Sequence, residues 1–197
     1  MNERKIRKSG KLIYGVGVND SDYTLSRLLG GKMVNCVFYS RWSSMLERCY
    51  SERLHKKHPP YIGCEVSEDW HSFMSFRSWM IEQAWQGKHL DKDLLHVGNT
   101  LYTKDKCIFV PQEVNKFMTD RVRFRGNLSL GVDRSGSKFR ARCADLSGCE
   151  IYLGVFYTEE EAHEAYLKCK GDLAITLAGR QSDPRVAEAL LKRYKVH

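Results

Sequence analysis

The sequence predicts an α+β protein: a helix-rich region with a ββα hairpin-helix, followed by a three-stranded antiparallel sheet packed on one helix. Three observations predict it. Apolar residues recur at helical spacing in two aromatic-rich stretches between residues 39 and 85. Residues 128–156 break into short alternating runs separated by glycine turns. A Thr-Glu-Glu-Glu string at 158–161 then marks a helix start directly after that sheet. The chain has 197 residues, enough for one medium domain or two small ones. We read it as a basic segment over 1–35, the ββα-bearing region over 36–120, a sheet-and-helix domain over 121–180 and a closing helix over 181–197.

Residues 1–35 are basic, glycine-containing and irregular. In "YSRWSSMLERCYS", Trp42, Met45, Leu46 and Cys49 share one helical face. The basic loop that follows is broken by Pro59–Pro60. "SEDWHSFMSFRSWMIEQAW" predicts a second helix, capped by Ser67, with Trp70, Phe73, Phe76 or Arg77, Met80, and Ile81 with Ala84 along one face; these aromatics read as core. Further on, "LDKDLL" predicts a strand, Gly98–Asn99 a turn, "KCIFV" a second strand and Pro111 the start of a helix containing Asn115. Leu128–Arg134, Lys138–Leu146 and Glu150–Phe156 predict the three strands of the later sheet, with turns at Gly136 and at Ser147–Gly148. Thr158 and Glu161 form a candidate capping box for a helix whose apolar stripe is Ala162, Ala165, Tyr166 and Cys169. In the last segment Asp183 is a candidate cap, Pro184 suits the first turn, and Val186, Leu190, Leu191 and Tyr194 recur at helical spacing.

With 42% hydrophobic and 28% charged residues, the composition is that of a globular protein. No apolar run is long enough for a membrane helix. The charged N-terminus leads into no apolar signal core, so secretion is not expected and a cytoplasmic protein is. The seven cysteines are scattered without a Cys-x-x-Cys pair and read as reduced thiols, several of them buried. A net charge of +8 makes a polyanion, nucleic acid above all, the leading partner.

The basic residues are patterned as well as numerous. Alternation along the middle strand places Lys138, Arg140 and Arg142 on one face and Phe139, Ala141 and Cys143 on the other. The apolar face suits packing on the helix, which leaves the cationic face outside. Arg134 sits at the hairpin tip, and Arg121, Arg123 and Arg125 precede the sheet. Such a face can enter a major groove, where arginine grips phosphate or pairs with guanine; the plainer alternative is a solvated face that happens to be basic. The stretch "SLGVDRSGSKFRARCADLSGCEIYLGVFYTEEEAHEAYLKCKGDLA" resembles an Apetala/ERF-type DNA-binding domain. The shared pattern is Gly-Val, Lys-Phe-Arg-Ala-Arg, Leu-Gly-Val-Phe, Thr-Glu-Glu-Glu-Ala and a later Ala-Tyr. The resemblance covers about a quarter of the chain. It implies duplex DNA contacted by the sheet. Among phage and bacterial proteins this module is commonly appended to homing-type endonucleases.

The ββα order is the scaffold of one-metal nucleases of the HNH type. "WSSMLERCY", "YIGCEVSEDWHSFMSFRSW" and "LDKDLLHVGNTLYTKDKCIFVPQEVN" together resemble a phage HNH-like endonuclease family through Trp42, Met45, Arg48, Cys49, Trp70, Phe73, Leu90, Asp91, Gly98, Tyr102, Cys107 and Asn115. The resemblance implies Asp91 and Asn115 as ligands of a divalent Mg2+ or Mn2+. It also puts Lys92 where the family carries the water-activating His. Lys106 stands in place of the usual Asn before the Cys, and Phe109 takes the later aromatic position. Three readings stay open. The site cleaves, with Asp93 helping and His96 or Lys92 assisting water or the leaving phosphate; or the scaffold binds DNA as a non-catalytic regulator or inhibitor; or "LDKD" is an ordinary charged strand end.

Other chemistry is weaker. Cys49, His55, His58 and Cys64 have the spacing C-x5-H-x2-H-x5-C, not that of a standard finger, so structural zinc is not expected. "GVGVND" lacks the Lys-Ser/Thr of a phosphate loop and reads as a turn or edge strand. No cysteine has an evident His partner, and His71 and His163 read as packing or surface residues.

Overall fold

A computed structural model describes residues 10–119 and 128–194. Arg121, Arg123 and Arg125 therefore lie outside the described residues. The chain is α+β and divides into two compact units, Met1–Phe109 and Val110–His197.

The first unit opens with a hairpin of β1 (Ser26–Leu29) and β2 (Lys32–Asn35). Its two-residue turn, Gly30–Gly31, has φ of 55° and 76°, the left-handed pair that tight hairpins require. Helix α1 (Val37–Tyr50) buries Trp42, Met45, Leu46 and Cys49, the face its spacing predicts. A short helix α2 (Glu52–His55), a 3-10 turn at Pro59–Tyr61 and strand β3 (Glu65–Val66) follow.

The expected long helix from Ser67 is instead two pieces, a 3-10 turn at Glu68–His71 and helix α3 (Phe73–Ile81). The chain is extended at Ser72, with φ −76° and ψ 125°, and Ser72 rather than Ser67 is the cap. Ser72 Oγ accepts from Ser75 N–H at 3.0 Å and donates to Asp20 Oδ2 at 2.6 Å, while Asp20 Oδ1 accepts from Met74 N–H at 2.9 Å. Two orphan amides of the first turn are thereby satisfied, one of them by a residue far upstream. Asp20 thus ends "GVGVND" as a helix cap. Gly17 passes so close to α1 that a Cβ would overlap Leu46 and crowd Trp42. Because α3 ends at Ile81, Ile81 and Ala84 are exposed and do not join the inner face. Trp42, Trp70, Phe73 and Phe76 form the aromatic core, and the Trp42 indole N–H donates to Trp70 O at 2.7 Å.

Strands β4 (His89–Asp91) and β6 (Ile108–Val110) pair with each other, while β5 (Leu101–Tyr102) pairs in parallel with β3. The expected strand "LDKDLL" therefore stops at Asp91, and residues 92–100 are irregular.

In the second unit, helix α4 (Gln112–Met118) precedes a three-stranded antiparallel sheet of β7 (Val132–Ser135), β8 (Lys138–Ala144) and β9 (Glu150–Phe156), then α5 (Glu159–Ala178) and α6 (Pro184–Arg193). The first strand starts at Val132 rather than Leu128. Ser129 is held at the start of α5, donating both N–H (2.7 Å) and Oγ–H (2.6 Å) to Glu159 Oε1. The Thr158–Glu161 capping box forms as the sequence predicts. Val132, Ala141 and Ala162 are buried between sheet and helix, with Phe139, Phe156 and Ala165 packed around them. At Gly131, φ is 75° and a Cβ would overlap the Tyr166 ring, so only glycine lets β7 lie this close to α5. Lys170 is an unexpected buried charge on α5. Its Nζ donates to Phe117 O at 2.8 Å and lies 3.9 Å from the centre of the Phe117 ring, which ties α4 to α5. Asp183 caps α6, which buries Val186 and Leu190. Among the described residues no helix is long and apolar enough to cross a membrane.

Candidate functional site

In the first unit the chain turns sharply after β4. Asp91 Oδ1 accepts from the N–H groups of Asp93 (3.0 Å) and Leu94 (2.7 Å), an Asx-type turn that ends the strand. The far end of the loop is stitched by Asn99, whose amide donates to Lys92 O and Leu101 O, both at 2.7 Å, while its Oδ1 accepts from Leu101 N–H at 3.3 Å. Lys92 lies along this loop with its side chain 11% exposed; Nζ donates to Asn99 O at 3.0 Å and to Asp93 Oδ2 at 3.1 Å. His96 is exposed, and its carbonyl accepts from Asn99 N–H at 3.0 Å across the Gly98 turn.

Burial raises the Asp91 carboxyl above its ordinary value, and the Asp93 carboxylate raises it further; the two backbone N–H groups and Lys92 pull the other way. The hydrogen bonds to Asp91 fall on Oδ1, so Oδ2 has no donor among the described residues. Asn115 lies partly buried on α4 in the second unit. The two expected metal ligands thus belong to different units, and each is described within its own.

Arg48 was not singled out among the candidate site residues. It projects from α1 with Nε donating to Ser44 O at 3.2 Å and Nη1 to Leu90 O at 3.5 Å, and its guanidinium sits over the rings of Tyr102 (5.3 Å) and Tyr61 (5.8 Å). Its place among the residues that carry the family resemblance, just before Cys49 at the edge of a buried helical stripe, is the signal that could have drawn attention to it.

Cys49, Cys64 and Cys107 are buried beside this loop, and burial pushes the Cys49 and Cys107 thiols up to about 12, which disfavours the thiolate that nucleophilic chemistry needs. All seven cysteines are free thiols. His55 Nε2 is hydrogen-bonded to Arg48 O at 2.9 Å, and His58 packs against Tyr61. Among the described residues no group of three or more His, Cys, Asp or Glu is arranged to hold a metal ion.

In the second unit the outer face of the sheet carries Lys138, Arg140 and Arg142, opposite the Ala141 and Cys143 side that meets α5. Register adds what the strand pattern does not reveal. Asp133 on β7 lies opposite Arg140, and a bulge between Ala141 and Arg142 sets Arg142 opposite Tyr152 on β9. Arg140 bonds Asp133 Oδ1 through Nε (2.9 Å) and Nη2 (2.8 Å); Arg142 bonds Asp133 Oδ2 and, at 2.8 Å, Glu150 Oε2. Two carboxylates thus hold two guanidiniums side by side, each still more than a third exposed. Tyr152 and Val155 are exposed beside them. Lys138 lies over the Tyr157 ring at 4.2 Å, and Arg134 over Phe139 at 4.4 Å. Comparison of the chain with protein-family models, with curated proteins and with solved structures found no match.

Proposed function

We propose that this is a duplex DNA-binding protein that grips DNA with the outer face of the β7–β9 sheet, and that the Asp91 loop is the hydrolytic centre of a metal-dependent, HNH-like endonuclease of the phage homing type. The observation that carries the reading is the ordered guanidinium pair on an exposed sheet face. Held by Asp133 and Glu150, Arg140 and Arg142 lose little freedom on meeting phosphate or guanine, and Tyr152 with Val155 supplies apolar surface for sugar and base. The net charge of +8 supports the same partner.

At Asp91, the open Oδ2 and the neighbouring Asp93 are hard oxygen donors that suit Mg2+ or Mn2+. A divalent ion held there would supply Lewis-acid polarisation of the phosphate. Lys92 serves as an electrostatic partner of the loop, its Nζ donating to Asp93 and to Asn99 O. His96, exposed on the same loop, takes the proton from water. The commitment of Lys92 favours one second reading, a DNA-binding regulator or inhibitor that does not cut.

A nicking assay on supercoiled plasmid with Mg2+ or Mn2+ tests this, alongside DNA binding by the same proteins. Wild type is expected to nick, and Asp91→Ala and Asn115→Ala to lose nicking while keeping binding. Nicking that ignores both substitutions would refute the site. Wild-type binding without nicking selects the regulator.

A further inference from the structure

We propose that Arg48 is a phosphate-binding residue of the Asp91 loop, acting with Lys92 to hold the non-bridging oxygens of a DNA phosphate. The inference rests on the DNA reading above. It starts from a contrast in pairing. Arg53, Arg140, Arg142 and Arg185 each close on a carboxylate, whereas Arg48, like Arg77 over the rings of Tyr23 and Phe38, does not. Arg48 is partly buried and forms no ion pair among the described residues; its partners are two carbonyls and two tyrosine rings. A cation withdrawn from water without a counter-charge costs free energy that an arriving anion recovers.

The geometry specifies the anion and its place. Arg48 Nη1 reaches Leu90 O, the residue immediately before Asp91. Arg48 and Lys92 both act on the buried Cys107 thiol beside this loop, and Lys92 also acts on Asp91. The rings of Tyr61 and Tyr102 set the guanidinium plane; Nε and one N–H of Nη1 hold carbonyls, so the outer edge formed by Nη1 and Nη2 is the part that would meet a phosphate. A planar, preset fork fits a phosphate bidentately, and Lys92 contributes a second point charge. Two cations beside an acid are what a phosphodiester needs while its negative charge grows during hydrolysis.

The test uses full-length protein and a short DNA duplex in EDTA, so that neither metal nor cleavage enters. The logarithm of the binding constant is plotted against the logarithm of salt concentration for wild type, Arg48→Gln and Arg48→Lys. Loss of one phosphate contact is expected to reduce the slope by about 0.9 in Arg48→Gln, while Arg48→Lys keeps the wild-type slope. A wild-type slope in Arg48→Gln would overturn the proposal and leave the sheet reading standing. Absence of salt-dependent binding by wild type would overturn both. Should Arg48→Gln fail to fold, wild type itself decides. Modification of Arg48 by phenylglyoxal, located by mass spectrometry, is expected to fall several-fold on adding the duplex, relative to exposed Arg53. Equal modification with and without DNA would overturn the proposal.

Discussion

Replacing Arg140 and Arg142 together with alanine removes the centre of the exposed sheet face while sparing its packing. Both guanidiniums are more than a third exposed, and the apolar side of the strand, Ala141 and Cys143, is untouched. Ion pairs at such exposure contribute about 0–1 kcal/mol each, so the variant stays folded with a melting temperature lowered by about a few degrees. The binding effect is larger. Two phosphate contacts account for about 1.8 of the slope of log K against log salt, so between about 50 and 200 mM salt wild type loses about twelvefold more affinity than the variant. Where an arginine reads a guanine instead, discrimination at that base falls by about 1–3 kcal/mol. Fluorescence anisotropy across a salt series measures both. Lys168→Ala, on the exposed side of α5 where Lys168 pairs with Asp172, serves as control and should leave the slope unchanged. Equal slopes for wild type and the double variant would refute the assignment of the sheet as the DNA face.

Three further outcomes follow from the fold. Because folded Asp91 holds its proton more tightly than the unfolded chain does, the folded state binds more protons between the ordinary and the raised value, and stability falls as pH rises through that window. Asp91→Asn keeps an acceptor for the Asp93 and Leu94 N–H groups, should remove that step and should be the more stable protein at neutral pH; coincident wild-type and variant profiles in urea unfolding would contradict this. Gly131→Ala adds a Cβ against Tyr166 at a φ of 75°, and should cost about 3 kcal/mol or more, read as a melting temperature lower by about 6–12 °C. Asp20→Ala removes the acceptor for Met74 N–H and Ser72 Oγ–H and should cost about 1 kcal/mol in chemical denaturation, with Asp20→Asn losing less.

Regular, local signals were legible in the sequence. The three-stranded sheet, the Thr158–Glu161 box and the inner face of α1 follow from spacing alone, because each depends on neighbours within a few residues. What the sequence hid depends on distant partners. Ser67 and Ser72 offer the same hydroxyl, and only the arrival of Asp20 makes Ser72 the cap. "LDKDLL" reads as the first strand of a hairpin, yet the Asp91 side chain captures the next two amides and ends the ladder. The basic stripe on β8 was visible, but Asp133 and Glu150 sit on other strands, and a bulge sets the register that aligns them. The solitary state of Arg48 is a property of its surroundings, which no single stretch of sequence displays.

The Asn99 amide has a chemical consequence of its own. Its nitrogen serves two carbonyls on opposite sides of the Asp91 loop. Deamidation would exchange that nitrogen for an oxygen and place a new negative charge against both carbonyl oxygens. An alteration of one atom and one charge, invisible to most measures of purity, would open the loop from its far end. Ageing of a stored preparation would then appear first as loss of whatever the Asp91 loop does, while the β7–β9 sheet, in the other unit, stayed intact.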